Sequence, residues 1–116
     1  MPRAATTTDV FNAIAEPRRR QLIEVLARRG ALAVGTLVVA VGLPQPAVSK
    51  HLGVLRKVGV VSVDKSGRQR VYRLNAQELK SVYDWARSFE HFWSHQLDRI
   101  KQRAEEKARA RADAST

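Results

Sequence analysis

The sequence contains no cysteine, which excludes disulfide bonds and any metal or redox site built on thiolates. No apolar run approaches the roughly 18 residues that a membrane-spanning helix requires. The first ten residues, MPRAATTTDV, also lack the hydrophobic core of a signal peptide. We therefore expect a cytoplasmic protein that does not enter a membrane.

Recognisable catalytic patterns are also missing. There is no phosphate-binding glycine loop and no GxGxxG, and the few acids are scattered along the chain. No nucleophile can be matched with a base and a group that orients it. The sequence therefore predicts neither an enzyme nor a bound cofactor.

Acidic residues are scarce, with 11 Asp and Glu against 21 Lys and Arg. The formal net charge is +10 and the isoelectric point is about 11.1, which points to a polyanion as partner. Charge alone would equally fit a non-specific nucleoid or RNA-binding protein. The 116 residues suffice for one domain with a small hydrophobic core.

The segment 42–58, GLPQPAVSKHLGVLRKV, predicts a turn followed by a helix of about four turns. Val48, Leu52 and Leu55 recur with the spacing of one buried helical face. The opposite face carries an amide, a hydroxyl and cations but no acid, so it is suited to base edges and phosphates. The alternative is an ordinary amphipathic helix that happens to be basic. Predicted base contacts are Gln45, Ser49 and Lys50, and predicted backbone contacts on this helix are His51 and Arg56.

Two β-prone runs, 58–63 and 71–74, flank the polar loop DKSGRQR and predict a hairpin. Lys65, Arg68 and Arg70 lie at or near its tip. A basic hairpin beside a DNA-reading helix would contact the DNA backbone. The alternative is a solubilising loop that protects a sheet edge.

Two helices are predicted ahead of this region. Thr8 or Asp9 can cap the first, which reaches about Ala15, and Pro17 suits the first position of a second helix that ends near Arg29. Arginines crowd the start of the second helix, where the helix dipole disfavours cations. They are either solvated or contact phosphates, and the predicted phosphate contacts are Arg18 and Arg19.

From Asn75, a predicted N-cap, one long helix should continue to at least Ile100. Its apolar stripe holds both tryptophans and two of the three phenylalanines, more than a small domain can bury against itself. A second copy of the chain would cover it, although packing on the chain's own core is the alternative. Predicted dimer contacts are Val10, Phe11, Trp85, Phe89, Phe92 and Trp93.

Together, DVFNAIAEPRRRQLIEVL, GLPQPAVSKHLGVLRKVGVV and SGRQRVYRL resemble the ArsR family of bacterial repressors over roughly residues 9–97. The resemblance implies a mainly α fold with a small β-hairpin, a winged helix-turn-helix. Its order would be two helices, a short strand, two helices, two strands and a last helix, with dimerisation through the terminal helices. The implied organisation is a flexible lead over 1–8, a DNA-binding and dimerisation domain over 9–100, and a charged, partly disordered tail over 101–116.

The resemblance also bears on the releasing signal. Metal-sensing members carry a cysteine pair ahead of the helix-turn-helix, and the matching positions here hold Ala33 and Gly35. We therefore expect a homodimeric repressor that binds double-stranded DNA. It would work without a thiolate metal site, as the metal-independent autorepressor members of the family do. Its inducer, a protein or a small molecule, is not identified by the sequence. The alternative is a metal-responsive repressor that uses His91, His95 and a carboxylate.

Overall fold

The computed structural model describes residues 9–114, and the predicted flexible lead over 1–8 lies outside them. The described chain divides into two compact units, the first ending at Val82 and the second beginning at Tyr83. Each unit is built from different kinds of residue, so each is taken separately below.

The first unit begins with two helices joined by a short linker, α1 (Val10–Ile14) and α2 (Pro17–Arg29). The Asp9 carboxylate accepts a hydrogen bond from the Phe11 amide, which satisfies one of the unpaired N–H groups at the start of α1. Glu16 caps α2 in the same way, and Pro17 occupies a first-turn position where no N–H is needed. The predicted starts of both helices are confirmed, and α2 ends at Arg29 as expected.

A helix-turn-helix follows, formed by α3 (Val34–Val41) and α4 (Gln45–Lys57). Gly42 joins them with φ +67°, a left-handed conformation that a residue with a Cβ adopts only at a cost. Val48, Leu52 and Leu55 of α4 have no solvent exposure. The helix predicted over this segment and its buried face are therefore confirmed.

A three-stranded antiparallel sheet of order β1-β3-β2 completes the first unit. Strand β1 (Leu32–Ala33) pairs with β3 (Gln69–Leu74), and β3 pairs with β2 (Val61–Ser66) along its whole length. The β2–β3 hairpin, called the wing here, turns at Gly67 with φ +64°. The hairpin prediction is confirmed, although its strands extend further towards the tip than the β-branched runs indicated.

The core of the first unit draws on every one of its larger elements. Helices α2, α3 and α4 bury their aliphatic side chains against one another, and the start of β2 closes this core. The fully buried side chains with the largest volumes are Leu22, Leu37, Leu52, Leu55, Val48, Val60 and Val61.

Asn75 does not cap a helix with its side chain. Its amide donates to the Gly59 carbonyl at 3.0 Å and to the Ser62 hydroxyl at 2.6 Å, while its backbone N–H donates to the Val60 carbonyl. Those bonds hold the start of β2 to the end of β3, and a 3₁₀ turn (Ala76–Leu79) follows. Asn75 therefore occupies the N-cap position that was predicted for it, but its side chain makes no capping bond because tertiary partners engage it.

The predicted single terminal helix is two helices, α5 (Lys80–Arg87) and α6 (Glu90–Ala114). At the break, the Ser88 hydroxyl donates to the Trp85 carbonyl at 2.6 Å, a local bond that competes with helical pairing. Helix α6 then continues to Ala114. The partly disordered tail predicted over residues 101–116 stays a prediction.

The overall architecture is mainly helical with one small antiparallel sheet, in the order α1-α2-β1-α3-α4-β2-β3-α5-α6. This is a winged helix-turn-helix, so the predicted fold class is confirmed apart from the division of the last helix.

Candidate nucleic-acid interface

A groove lies between the outer face of α4 and the wing, with a volume of about 690 Å³. Helix α3 contributes its first turn to one wall and the wing tip contributes the other. Three arginines, one from α4 and two from the wing, face this space from both sides. The lining residues are Ala33, Val34, Gly35, Thr36, Gln45, Ser49, Leu52, Gly53, Arg56, Arg68, Gln69, Arg70 and Tyr72.

None of the described residues that line this groove is acidic. The one acid of the wing, Asp64, is paired with Arg73 at 3.3 Å on the hairpin surface. Because Arg73 neutralises this carboxylate, Asp64 weakens the positive electrostatic field of the lining arginines less than an unpaired acid would. The groove is therefore a cationic channel with amide and hydroxyl groups along its α4 wall.

The wing tip places two cations directly opposite each other, because Lys65 and Arg70 are register partners in the β2–β3 ladder. Like charges at opposed positions of an antiparallel pair are destabilising. An anion between or beside the two side chains would relieve that repulsion. The strand register therefore favours a site for a negatively charged partner at the tip.

The predicted α4 residues do not all lie in the groove. Gln45, Ser49 and Arg56 line it, whereas Lys50 is exposed outside the set of lining residues. His51 is half-buried and its Nδ1 accepts a hydrogen bond from Arg19 Nε at 3.3 Å. The structure thus brings three of the five predicted α4 contacts into one concave surface with Arg68 and Arg70.

The arginines at the start of α2 have partners within the chain. Arg19 Nη1 donates to the Ala13 carbonyl at 3.2 Å, and Arg20 Nη1 donates to the carbonyls of Ile14 and Ala15. Arg18 Nη1 donates to Gln21 and, at 3.4 Å, to the Val41 carbonyl.

Those contacts explain why cations crowd the N-terminal end of α2. The carbonyls that Arg19 and Arg20 approach belong to the C-terminal end of α1, where the helix dipole favours positive charge. The dipole of α2, the helix that carries the arginines, does not by itself account for this arrangement. Their phosphate contacts stay a prediction, and the observed hydrogen bonds give them a second role in holding α1 against α2.

Sequence reasoning missed two polar groups of the groove, Thr36 on α3 and Gln69 at the start of β3. Thr36 follows an apolar run, and Gln69 was grouped with the loop, so neither stood out as a candidate. Gly53 also lines the groove, and a Cβ added there would meet nothing within 4 Å. The groove is therefore open enough at this point for a ligand to approach the α4 backbone.

The second unit carries a different surface. Trp85 and Phe89 make an edge-to-face contact with ring centroids 5.3 Å apart, and Phe92 lies 6.2 Å from Phe89. These rings nevertheless remain open to solvent, with Trp85 58% exposed and Phe92 63% exposed. The same unit has a small apolar cavity of about 250 Å³, lined by Tyr83, Ala86, Arg87, Glu90, Trp93, Ser94 and Leu97.

The predicted dimer contacts are distributed over both units. In the first, Phe11 is 38% exposed and Val10 packs partly against the core. In the second, Phe89 is 39% exposed and Trp93 is 44% exposed. Each unit therefore exposes part of the predicted interface to solvent in the single chain.

His91 and His95 are both exposed, and the His91 ring lies against Phe92 with centroids 4.0 Å apart. Among residues 9–114, no three His, Asp or Glu side chains come together in a way that could hold a metal ion. Within the same range, no helix combines the length and apolar character needed to cross a bilayer.

Comparison with known sequences places residues 16–63 in the profile described as "Bacterial regulatory protein, arsR family". The HTH-type transcriptional regulator NmtR of Mycobacterium tuberculosis is 39% identical over 72% of this chain and 68% of its own length. The transcriptional repressor SdpR of Bacillus subtilis is 30% identical over 70% of this chain and 89% of its own length.

Comparison with solved structures gives the same fold. The homodimeric winged helix-turn-helix DNA-binding domain Mb0332 of Mycobacterium bovis superposes with a TM-score of 0.59. The match has 24% sequence identity and covers 74% of this chain and 79% of that chain.

Proposed function

Because the chain belongs to the ArsR family of bacterial regulatory proteins, we propose that it is a homodimeric repressor that binds a specific DNA operator. Two copies of α4, related by a two-fold axis, enter successive major grooves. The operator is then an imperfect palindrome whose half-sites lie about one helical turn, roughly 10 bp, apart. Occupation of a promoter by the dimer blocks polymerase.

The observation that carries this proposal is the acid-free groove between α4 and the wing. Gln45 and Ser49 offer hydrogen-bonding groups suited to base edges, and Lys50 lies next to them on the exposed face of α4. Arg56 and the wing cations Lys65, Arg68 and Arg70 neutralise phosphates on either side. The reading groups are thus flanked by positioning groups, as sequence-specific binding requires.

The exposed aromatic face of the second unit supports assembly of two copies. Seven large apolar side chains of residues 83–100 are at least 39% exposed in the single chain. A contiguous apolar surface of this kind marks an interaction site in soluble proteins. The Mb0332 domain, which shares the fold, is homodimeric.

The repressor works without a thiolate metal site, because Ala33 and Gly35 offer no metal-binding side chain. The releasing signal is then a protein, a small molecule or the level of the regulator itself. Zinc, cobalt and nickel titrated against the protein–operator complex should leave it intact. Release of the operator at micromolar metal would contradict this part of the proposal. If a His91→Ala, His95→Ala double variant were still released by metal, a metal site at those histidines would be excluded.

Sequence specificity is the direct test of the main proposal. At about 150 mM salt, the affinity for the best duplex selected from a random pool should exceed that for unselected duplex by about 10³-fold or more. Nearly equal affinities would instead identify a non-specific nucleoid or RNA-binding protein.

Two variants separate reading from positioning. Lys50→Ala should change which duplexes are preferred, whereas Arg68→Ala should weaken binding to all sequences alike and reduce the salt dependence. A Lys50→Ala variant with unchanged preference would remove Lys50 from the base contacts.

A further inference from the structure

Arg19 connects three parts of the first unit. Its backbone lies in the first turn of α2, its Nη1 donates to the Ala13 carbonyl near the end of α1, and its Nε donates to His51 Nδ1 on α4. Both Arg19 and His51 are half-buried. His51 is carried by the same helix as the groove residues Gln45 and Ser49, but it is not itself one of the lining residues.

The chemistry of the two side chains fixes the direction of their hydrogen bond. A guanidinium has donors but no acceptor, so Nδ1 of His51 must accept with its lone pair. The imidazole then carries its proton on Nε2. The ring is left with one N–H that it can donate to an anion, and Arg19 limits its rotation.

Arg20 provides an internal comparison. It also lies in the first turn of α2 and donates to the carbonyls of Ile14 and Ala15, so it shares the contact with the end of α1. Its described hydrogen bonds do not include α4. The two arginines therefore have equal charge and both contact the end of α1. They differ in the bond to α4 and in burial, since Arg19 is half-buried and Arg20 is exposed.

We propose that Arg19 is a positioning residue of the DNA interface, which holds α4 to α1 through His51 and sets the His51 ring so that Nε2–H is the phosphate donor. The proposal rests on the DNA interface proposed above. Removal of Arg19 then releases one tie of α4 and leaves the His51 tautomer unconstrained. The loss of affinity should therefore appear with the specific duplex, because binding to that duplex depends on the placement of α4.

The first experiment measures binding by the full-length protein to two duplexes, one selected from a random pool and one unselected. Arg19→Ala should lose about tenfold or more in affinity for the selected duplex relative to Arg20→Ala, with equal affinities for the unselected duplex. Arg19→Lys retains the charge but cannot make both hydrogen bonds in one fork, so it should show the same specific loss. Equal behaviour of Arg19→Ala and Arg20→Ala would overturn the proposal.

A double-mutant cycle distinguishes positioning from direct phosphate contact. If Arg19 acts through His51, adding Arg19→Ala to His51→Ala should cost no further affinity for the selected duplex. If Arg19 itself contacts a phosphate, the two losses should add and the salt dependence should fall by about one counterion per protomer. The additive result would contradict the proposal.

The His51 ring can also be observed without DNA. In long-range ¹H–¹⁵N spectra at pH 8, the wild type and Arg20→Ala should show His51 protonated at Nε2, and Arg19→Ala should show a mixture of tautomers. An unchanged tautomer in Arg19→Ala would overturn the proposed role of Arg19. If the wild type itself shows no preference for the selected duplex, the proposed DNA interface has failed. A preference that is unchanged in Arg19→Ala overturns only the role proposed for Arg19.

Discussion

The two units of this protein differ in both charge and burial. Residues 9–82 contain 13 Lys and Arg against 5 Asp and Glu, and they enclose the whole buried core. Residues 83–114 contain 7 basic and 6 acidic residues, and none of their side chains is buried. The first unit therefore has a core of its own and a surface for a polyanion, whereas the second has an apolar surface that needs a partner.

The difference indicates a separation of tasks. Cations are concentrated where phosphates are expected, and they are balanced by acids in the unit that carries the proposed dimer surface, where an excess of one sign would make two copies repel each other. Aromatic residues follow the opposite distribution, since five of the seven in the sequence lie after residue 82. If the tasks are separate, substitutions should be able to damage one unit without the other.

The largest effect is expected from Phe92→Glu combined with Trp93→Glu. Burying these charges in an interface is unfavourable, and loss of two aromatic anchors costs about 4 kcal/mol or more, roughly a 10³-fold weaker dimer. Analytical ultracentrifugation should show a folded monomer that no longer binds the palindromic duplex.

Gln102→Glu is the matched control for that variant, because it adds negative charge to α6 outside the aromatic segment. It should remain a dimer with unchanged DNA binding. A Phe92→Glu, Trp93→Glu variant that stayed dimeric would remove the proposed dimer role of this face.

Leu52→Ala and Leu97→Ala compare the same change in the two units. Leu52 has no exposure, so truncation leaves a cavity and should lower the free energy of unfolding by about 2–5 kcal/mol. Leu97 is 56% exposed in the single chain, so its truncation should weaken the dimer more than the fold of the protomer. Denaturant titrations at several protein concentrations measure both effects. If the unfolding midpoints of the two variants depended equally on protein concentration, Leu97 would have no special role in the dimer.

Arg70→Gln should change stability and affinity in opposite directions. It removes the like-charge pair with Lys65, so the free energy of unfolding should rise by a few tenths of a kcal/mol. The same change should weaken DNA binding by about tenfold per dimer and lower the salt slope by about one per protomer. Thermal melts measure the change in stability, and binding at several salt concentrations measures the change in affinity and in salt slope.

Arg73→Gln serves as the control for the wing, because it breaks the ion pair with Asp64 and leaves the Lys65–Arg70 pair in place. That exposed ion pair contributes at most about 1 kcal/mol, so a small loss of stability is expected. A gain in stability there, or a loss in Arg70→Gln, would contradict the role given to the opposed cations.

The smallest effect concerns Gly53, which lies within α4 with open space around its Cβ position. Gly53→Ala should raise the free energy of unfolding by about 1 kcal/mol through helix propensity alone. Gly67→Ala, at φ +64° in the wing turn, should lower it by a similar amount. Denaturation midpoints measure both, and a destabilised Gly53→Ala would mean that α4 requires the flexibility of glycine.

Several features of the fold could be predicted because short-range pattern decides them. The spacing of Val48, Leu52 and Leu55 dictates a helix with one buried face, and Asp9 and Pro17 mark helix starts through their own backbone chemistry. The wing was recognisable for the same reason, since two β-branched runs joined by a polar loop with a glycine have few other arrangements.

Contacts with distant partners could not be predicted. Asn75 has the composition of an N-cap, but its amide bonds to Gly59 and Ser62 across the sheet. The backbone partners of Arg19 and Arg20 were not predicted, because the helix end they approach belongs to α1 and not to the helix that carries them. The break at Ser88 is accompanied by a bond from its hydroxyl to the Trp85 carbonyl, which the apolar stripe does not reveal.

The amino-acid sequence by itself determined which segments become helices and strands, which faces are apolar, and where positive charge concentrates, because these properties depend on neighbours within a few residues. Only the tertiary structure decided which cations face one another across the hairpin, which line the groove with α4, and which are engaged by backbone carbonyls. Those relations depend on strand register and on packing between segments far apart in the chain, and neither is encoded in any single stretch.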